Sequence, residues 1–179
     1  MESAYANIKD IPDDGVEENI IKSITGRVIS RDVSDYKVSL IDDNIERLGI
    51  SNIDVQVYNA LDRDDSLVGK ADIVIADLPC SGLGIMGRKP DIRYNISPEK
   101  ISDIIRLQRD ILEVVSMYVK PGGTLVYSTC TINRSENEDN ADWICTSLGF
   151  TRDGEYVQML PSPDKDNDGF FVARLIKNS

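Results

Sequence analysis

The sequence contains no histidine, which removes the commonest general base and metal ligand from anything the chain does alone. A Ser-His or Cys-His hydrolase is therefore excluded within it. Basic residues are scarce as well: 20 Lys and Arg stand against 31 Asp and Glu, a formal net charge of −11. A surface of that sign does not hold a phosphate backbone unaided, so any nucleic-acid role needs help from elsewhere. No apolar run reaches membrane-spanning length, and the opening MESAYANIKDIPDD lacks the basic and apolar regions of a signal peptide. Paired CxxC spacings are missing too, which leaves no zinc ligand set. The three cysteines, Cys80, Cys130 and Cys145, form no close pair and leave an odd one, which fits a reducing compartment better than a disulfide framework. Together these absences predict a cytoplasmic protein with no membrane partner and no metal.

What is present is an alternation of strand and helix signals. With 179 residues and 41% hydrophobic composition, residues 1–179 have the length of a single domain with a substantial core. A helix is expected from Val16 to Ile24, then a strand in GRVISRD (26–32). Next comes a helix in SDYKVSLIDDNIERLG (34–49), with Ser34 as N-cap, Val38, Ile41 and Ile45 on one face and Gly49 as its stop. NIDVQVYNA (52–60) alternates like a strand, and KADIVIADLP (70–79) reads as a strand buried on both faces. Residues 97–119 form a long helix that opens with Ser97 and Pro98. PGG (121–123) leads into a TLVYST strand, a helix follows from Ser135 to about Leu148, and a closing hairpin spans Phe150–Val157 and Gly169–Lys177. The order predicts an α/β, doubly wound, Rossmann-like sheet, mostly parallel, with a C-terminal antiparallel hairpin.

In such sheets, ligands and chemistry gather at the carboxyl ends of strands. Asp32 stands at one such end, where an acid can accept both hydroxyls of a ribose or cap the helix that follows. Asn59, at the next, can face an adenine or simply make a turn. DLPCSGLG (77–84) brings Asp77, Pro79 and Cys80 into a glycine-bearing loop; a strand cap with an incidental buried thiol is the plainer reading. In LVYSTCTINRSENED (125–139), Cys130 lies just past an apolar run, among Ser128, Thr129 and Thr131, which is an odd place for a core cysteine. Arg88, Lys89 and Arg93 cluster with Tyr94 in a basic and aromatic patch suited to phosphate or base, or else to a solvated loop. Cys145, beside Trp143, reads as core, and SENEDNAD (135–142) as a helix start whose acids favour the dipole. Two thiols at adjacent strand ends suggest nucleophilic catalysis in which one cysteine bonds and the other assists. A thiolate suits addition to the electron-poor carbon-6 of a pyrimidine.

DLPCSGLG, RKPDIRY, KPGGTLVYSTCTINRSENED and the closing MLPSPDKDNDGFFVARL together resemble the RNA 5-methylcytosine methyltransferases, and among them the bacterial enzymes acting on 16S ribosomal RNA. The resemblance runs from Gly26 to near the end of the sequence. It implies S-adenosylmethionine as donor, ribosomal RNA as partner, Cys130 as nucleophile and Cys80 as the group that helps release the product. Asp77 then lies between ring and donor with Pro79 beside it, Asp32 takes the ribose, and Asn59 stands where the family carries an acid on the adenine side. Arg88, Lys89 and Arg93 become the RNA-binding candidates. The family's glycine-rich donor loop, of CAAPGGK type on the first strand, is not in this sequence; the expectation is therefore a C-terminal catalytic fragment, itself inactive, that lacks its first strand. Two rivals are an amino-group methyltransferase of the same fold, which leaves Cys130 unexplained, and a non-catalytic RNA-binding module.

Overall fold

The computed structural model describes residues 26–162, 164 and 167–179, so the helix expected from Val16 to Ile24 lies outside the described residues. The chain divides after Asn59 into two compact units. In the first, strand β1 (Val28–Asp32) pairs in parallel with β2 (Ile53–Val57), from Val28 opposite Ile53 to Asp32 opposite Val57. Helix α1 (Asp35–Leu48) joins them as the crossover. Ser34 starts it by accepting a hydrogen bond from Lys37 N, and Gly49 ends it at φ +65°, where a side chain would be strained.

The second unit holds a five-stranded mixed sheet. β3 (Ala71–Asp77) pairs in parallel with β4 (Val119–Thr129), and β4 is antiparallel to β7 (Phe170–Lys177). The short strands β5 (Phe150–Arg152) and β6 (Val157–Met159) both lie antiparallel on β7, which realises the expected closing hairpin. A four-residue helix, α2 (Ile92–Asn95), precedes the 21-residue α3 (Pro98–Tyr118). A last helix, α4 (Glu138–Ser147), follows a 3-10 turn at Arg134–Glu136. The strand after α3 begins earlier than its sequence suggests: Val119 is already paired with Ala71, and the register slips before Ile73 meets Thr124. The PGG segment is thus a bulge within β4, not a lead-in to it.

Leu112, Val119, Leu125, Tyr127, Ile144, Phe171 and Leu175 are fully buried in this unit. Phe171 sits at their centre, edge-on to both Tyr127 and Tyr156 at ring distances of 6.0 and 5.8 Å. The expectation of two buried faces fails for β3, whose Ile73 and Ile75 are 62% and 70% exposed. Val74 and Ala76 pack into the core on one face of β3, while Ile73 and Ile75, at the alternate positions, emerge on the other, which no described element covers closely. Helix α3 itself is set by Ser97, whose side chain accepts from Lys100 N at 3.3 Å, with Pro98 in the first turn where its missing N–H costs nothing. Ser97→Ala is expected to lower the stability of this unit by about 1 kcal/mol, read as a shifted urea midpoint of Trp143 fluorescence.

Candidate active site

β3 and β4 are adjacent and parallel, so the residues that leave their carboxyl ends leave side by side. Asp77 lies opposite Ser128, whose hydroxyl donates to its carboxyl at 3.0 Å. A few residues further, Cys80 and Cys130 bring their sulfurs to 3.0 Å of each other. Both thiols are half-buried and neither is in a disulfide. The pair is electrically unequal. Cys130 is pulled down to about 7, chiefly by the hydrogen bond from Cys80 and further by the charge of Lys89, against burial and the charge of Asp77. Cys80 is pushed well above the usual thiol range because it serves as that donor and is itself desolvated. The pairing thus favours ionisation of Cys130 over that of Cys80.

The loops carrying the two sulfurs are tied together from behind. Ser81 N and Ser81 Oγ donate to Glu136, at 2.8 and 2.6 Å, and Ser81 Oγ lies 2.8 Å from Thr131 Oγ1. Gln108, on the buried face of α3, donates to Pro79 O at 2.9 Å and accepts from Asn140 Nδ2 at 2.8 Å. Asn137 accepts from Thr129 Oγ1 and donates to Thr131 O. Glu136, Asn137, Asn140 and Gln108 are all fully buried. Residues 135–142 are thus not simply a solvated helix start: only part of the run faces water. The overlooked signal is an acid flanked by Asn133, Asn137 and Asn140 at helical spacing, which marks a polar face turned inward.

At the front, Gly84 N donates to Cys130 O at 3.1 Å and Gly169 N to Gly84 O at 2.7 Å. A Cβ on Gly84 would stand 2.5 Å from Gly169 O and 2.7 Å from Cys130 O. This position accepts glycine because three backbone segments meet there. A cavity of about 310 Å³ opens beside Cys80, walled by Ile92, Ile96 and Ile104 with Lys100 among its polar residues.

Residues 19–176 match the model of the family described as 16S rRNA methyltransferase RsmB/F. The chain belongs to that family. Its curated relatives include ribosomal RNA small subunit methyltransferase F of Salmonella paratyphi A, 35% identical over 175 residues, covering 86% of this chain and 36% of the relative. The protein of the same name from Aliivibrio salmonicida is 31% identical over 172 residues with the same coverage. The chain therefore spans about a third of the length of these relatives. Among solved structures, NSun6 from Pyrococcus horikoshii with SFG superimposes with a TM-score of 0.72 at 25% identity, covering 92% of this chain and 45% of that one. The fold is accordingly the α/β fold of these methyltransferases.

Within this RsmB/F chain, Asp77, Pro79, Cys80 and Cys130 fall in one cluster of the second unit. Asp32 and Asn59 belong to the first: Asp32 is the last residue of β1 and Asn59 lies two residues past β2. The carboxyl of Asp32 accepts from Ser34 N at 2.9 Å and pairs with Lys37 Nζ at 3.1 Å, one partner for each oxygen among the described residues. Arg88, Lys89 and Arg93 are exposed. Arg88 pairs with Asp168 at 3.1 Å, and the Arg93 guanidinium lies 4.6 Å from the centre of the Tyr94 ring. Cys145 packs at the margin of the core, its thiol pushed up by burial. Among the described residues no group of three or more side chains is arranged to hold a metal ion, and no helix is long and apolar enough to cross a membrane.

Proposed function

We propose that this chain is the catalytic part of a cytoplasmic, S-adenosylmethionine-dependent ribosomal RNA cytosine-5 methyltransferase. The observation that carries the reading is the pair of unequal thiols 3.0 Å apart at the carboxyl ends of two parallel strands, in a chain of the RsmB/F family. Asp32 suits the donor's ribose, since an acid that ends a strand of such a sheet accepts hydroxyl donors. Asn59 suits the adenine side, and Asp77 and Pro79, beside the thiols of the second unit, are the candidates there for contact with donor and base. S-adenosylmethionine, when bound, supplies an electrophilic methyl group.

The target cytosine leaves its stack, and the cavity beside Cys80 has room for a base. Cys130 thiolate then adds its electron pair to carbon-6 to form a carbon–sulfur bond, and the displaced π pair of the carbon-5–carbon-6 double bond makes carbon-5 nucleophilic enough to accept a methyl group. Asp77 steadies the charge that develops on the ring. After methylation a base takes the carbon-5 proton, the electrons of that carbon–hydrogen bond re-form the carbon-5–carbon-6 double bond, and the carbon–sulfur pair returns to Cys130 as it leaves. Cys80, already within hydrogen-bond distance of that sulfur, stabilises the departing thiolate. Arg88, Lys89 and Arg93 hold RNA phosphate, with Tyr94 available to stack. An amino-group methyltransferase of the same fold requires none of this thiol chemistry.

The test is to incubate the longer protein containing this chain with methyl-labelled S-adenosylmethionine and 16S rRNA, then digest the RNA to nucleosides. Label in 5-methylcytidine is the expected result. Label confined to an N-methylated nucleoside would favour the amino-group rival, and no label would remove the reading.

A further inference from the structure

Glu136 has no exposed surface, and its partners are hydroxyl and amide groups in place of a cation. Oε1 accepts from Ser81 Oγ at 2.6 Å and Asn133 Nδ2 at 3.0 Å, and Oε2 from Ser81 N at 2.8 Å and Gln108 Nε2 at 3.4 Å. Burying a carboxyl group is costly even when every lone pair is met, and an apolar side chain of the same volume often stabilises a core as well. Core packing alone is therefore a poor reason for an acid here. Its bonds lead instead to the residues that flank the thiols. Ser81 directly follows Cys80; Thr131, whose hydroxyl adjoins that of Ser81, directly follows Cys130. Asn133, which donates to the same carboxyl, also donates its backbone N–H to Thr131 Oγ1 at 3.2 Å.

We infer that Glu136 is a positioning residue that fixes the separation of Cys80 and Cys130, and through it the division of labour between them. The inference rests on the proposed reading, in which Cys130 attacks and Cys80 assists. Glu136 itself reaches no reacting atom. The titratable or charged groups acting on Cys130 are Cys80 from the loop after β3, Asp77 at the end of β3, and Lys89 from the segment before α2. Of these, Cys80 adjoins the residue that Glu136 grips on both its N–H and its hydroxyl. Hydrogen bonds weaken steeply with distance and angle, so a small opening of the Ser81–Thr131 ladder removes the thiol-to-thiolate bond while leaving Asp77 and Lys89 in place.

The experiment needs neither donor nor RNA, so its failure is distinguishable from failure of the methylation reading. The 179-residue chain is alkylated with iodoacetamide between about pH 5.5 and about 9.5, a range that spans cysteine ionisation, and each cysteine is quantified by peptide mass. Cys130 in the unaltered chain should reach half its maximal rate near about 7, with Cys80 unreactive there. Glu136→Ala should move the Cys130 profile into the ordinary thiol range and slow its alkylation at neutral pH roughly tenfold or more. Glu136→Gln keeps an acceptor for Ser81 N–H and should fall between the two. Should circular dichroism show Glu136→Ala unfolded, Ser81→Ala replaces it, breaking the hydroxyl ladder alone and giving a smaller upward displacement. An unchanged Cys130 profile in the folded variant used overturns the inference.

Discussion

Cys130→Ala in the longer protein is expected to abolish methyl transfer by about a thousandfold or more, as removal of a covalent nucleophile does, whereas Cys80→Ala is expected to leave protein and RNA joined. The asymmetry follows from the hydrogen bond between the two sulfurs. Without Cys80, fewer Cys130 thiols are ionised at neutral pH and addition slows, although the stronger nucleophilicity of each thiolate that forms offsets part of the loss. Elimination has no such compensation: a more basic thiolate is a poorer leaving group. The adduct therefore accumulates. On a denaturing gel with labelled RNA, Cys80→Ala should give a slow-migrating band that the double variant lacks. Two merely structural cysteines would instead give similar, modest losses of stability from either change. Normal turnover by Cys130→Ala would end the assignment.

Gly84→Ala is expected to destabilise the second unit by about 3 kcal/mol, at the upper end for an overpacked site. The added carbon would meet two backbone carbonyl oxygens, Gly169 O and Cys130 O, and neither can swing aside as a side-chain tip can. One of the two hydrogen bonds that hold the Cys130 loop from the front must give way. Trp143, the sole tryptophan, lies in this unit and reports its unfolding. A urea midpoint equal to that of the unaltered chain would show that the three segments do not meet as closely as described.

The long helix α3, both parallel strand pairs and the hairpin at the end were legible because each has a simple period and a recognisable cap or stop. Ser97 with Pro98, Ser34 with Gly49, and the runs in 71–77 and 124–129 announce themselves locally. The thiols were legible for the opposite reason: Cys80 and Cys130 sit where apolar runs have just ended, and polar loops there need a purpose. What stayed hidden depends on contacts between distant segments. Nothing near Arg88 discloses that Asp168 pairs with it, and nothing near Glu136 discloses that Ser81 and Gln108 meet it inside the protein. An acid among other acids looks solvated until its partners are known. The exposure of Ile73 and Ile75 is of the same kind, since an apolar strand reads alike whether one of its faces is covered or both.

The meeting of Gly84 with Gly169 also governs when the site comes into being. β7 is the strand on which β4, β5 and β6 all pair, and Gly169 directly precedes it. The Cys130 loop thus gains its front support only when the chain has closed on itself over most of the second unit. Contacts of such sequence separation are entropically costly to close and form slowly. Helix α3 is built from local bonds and can precede them. The thiol pair is therefore expected to form after α3, and the rise of Cys130 reactivity during refolding would time the closing of these contacts.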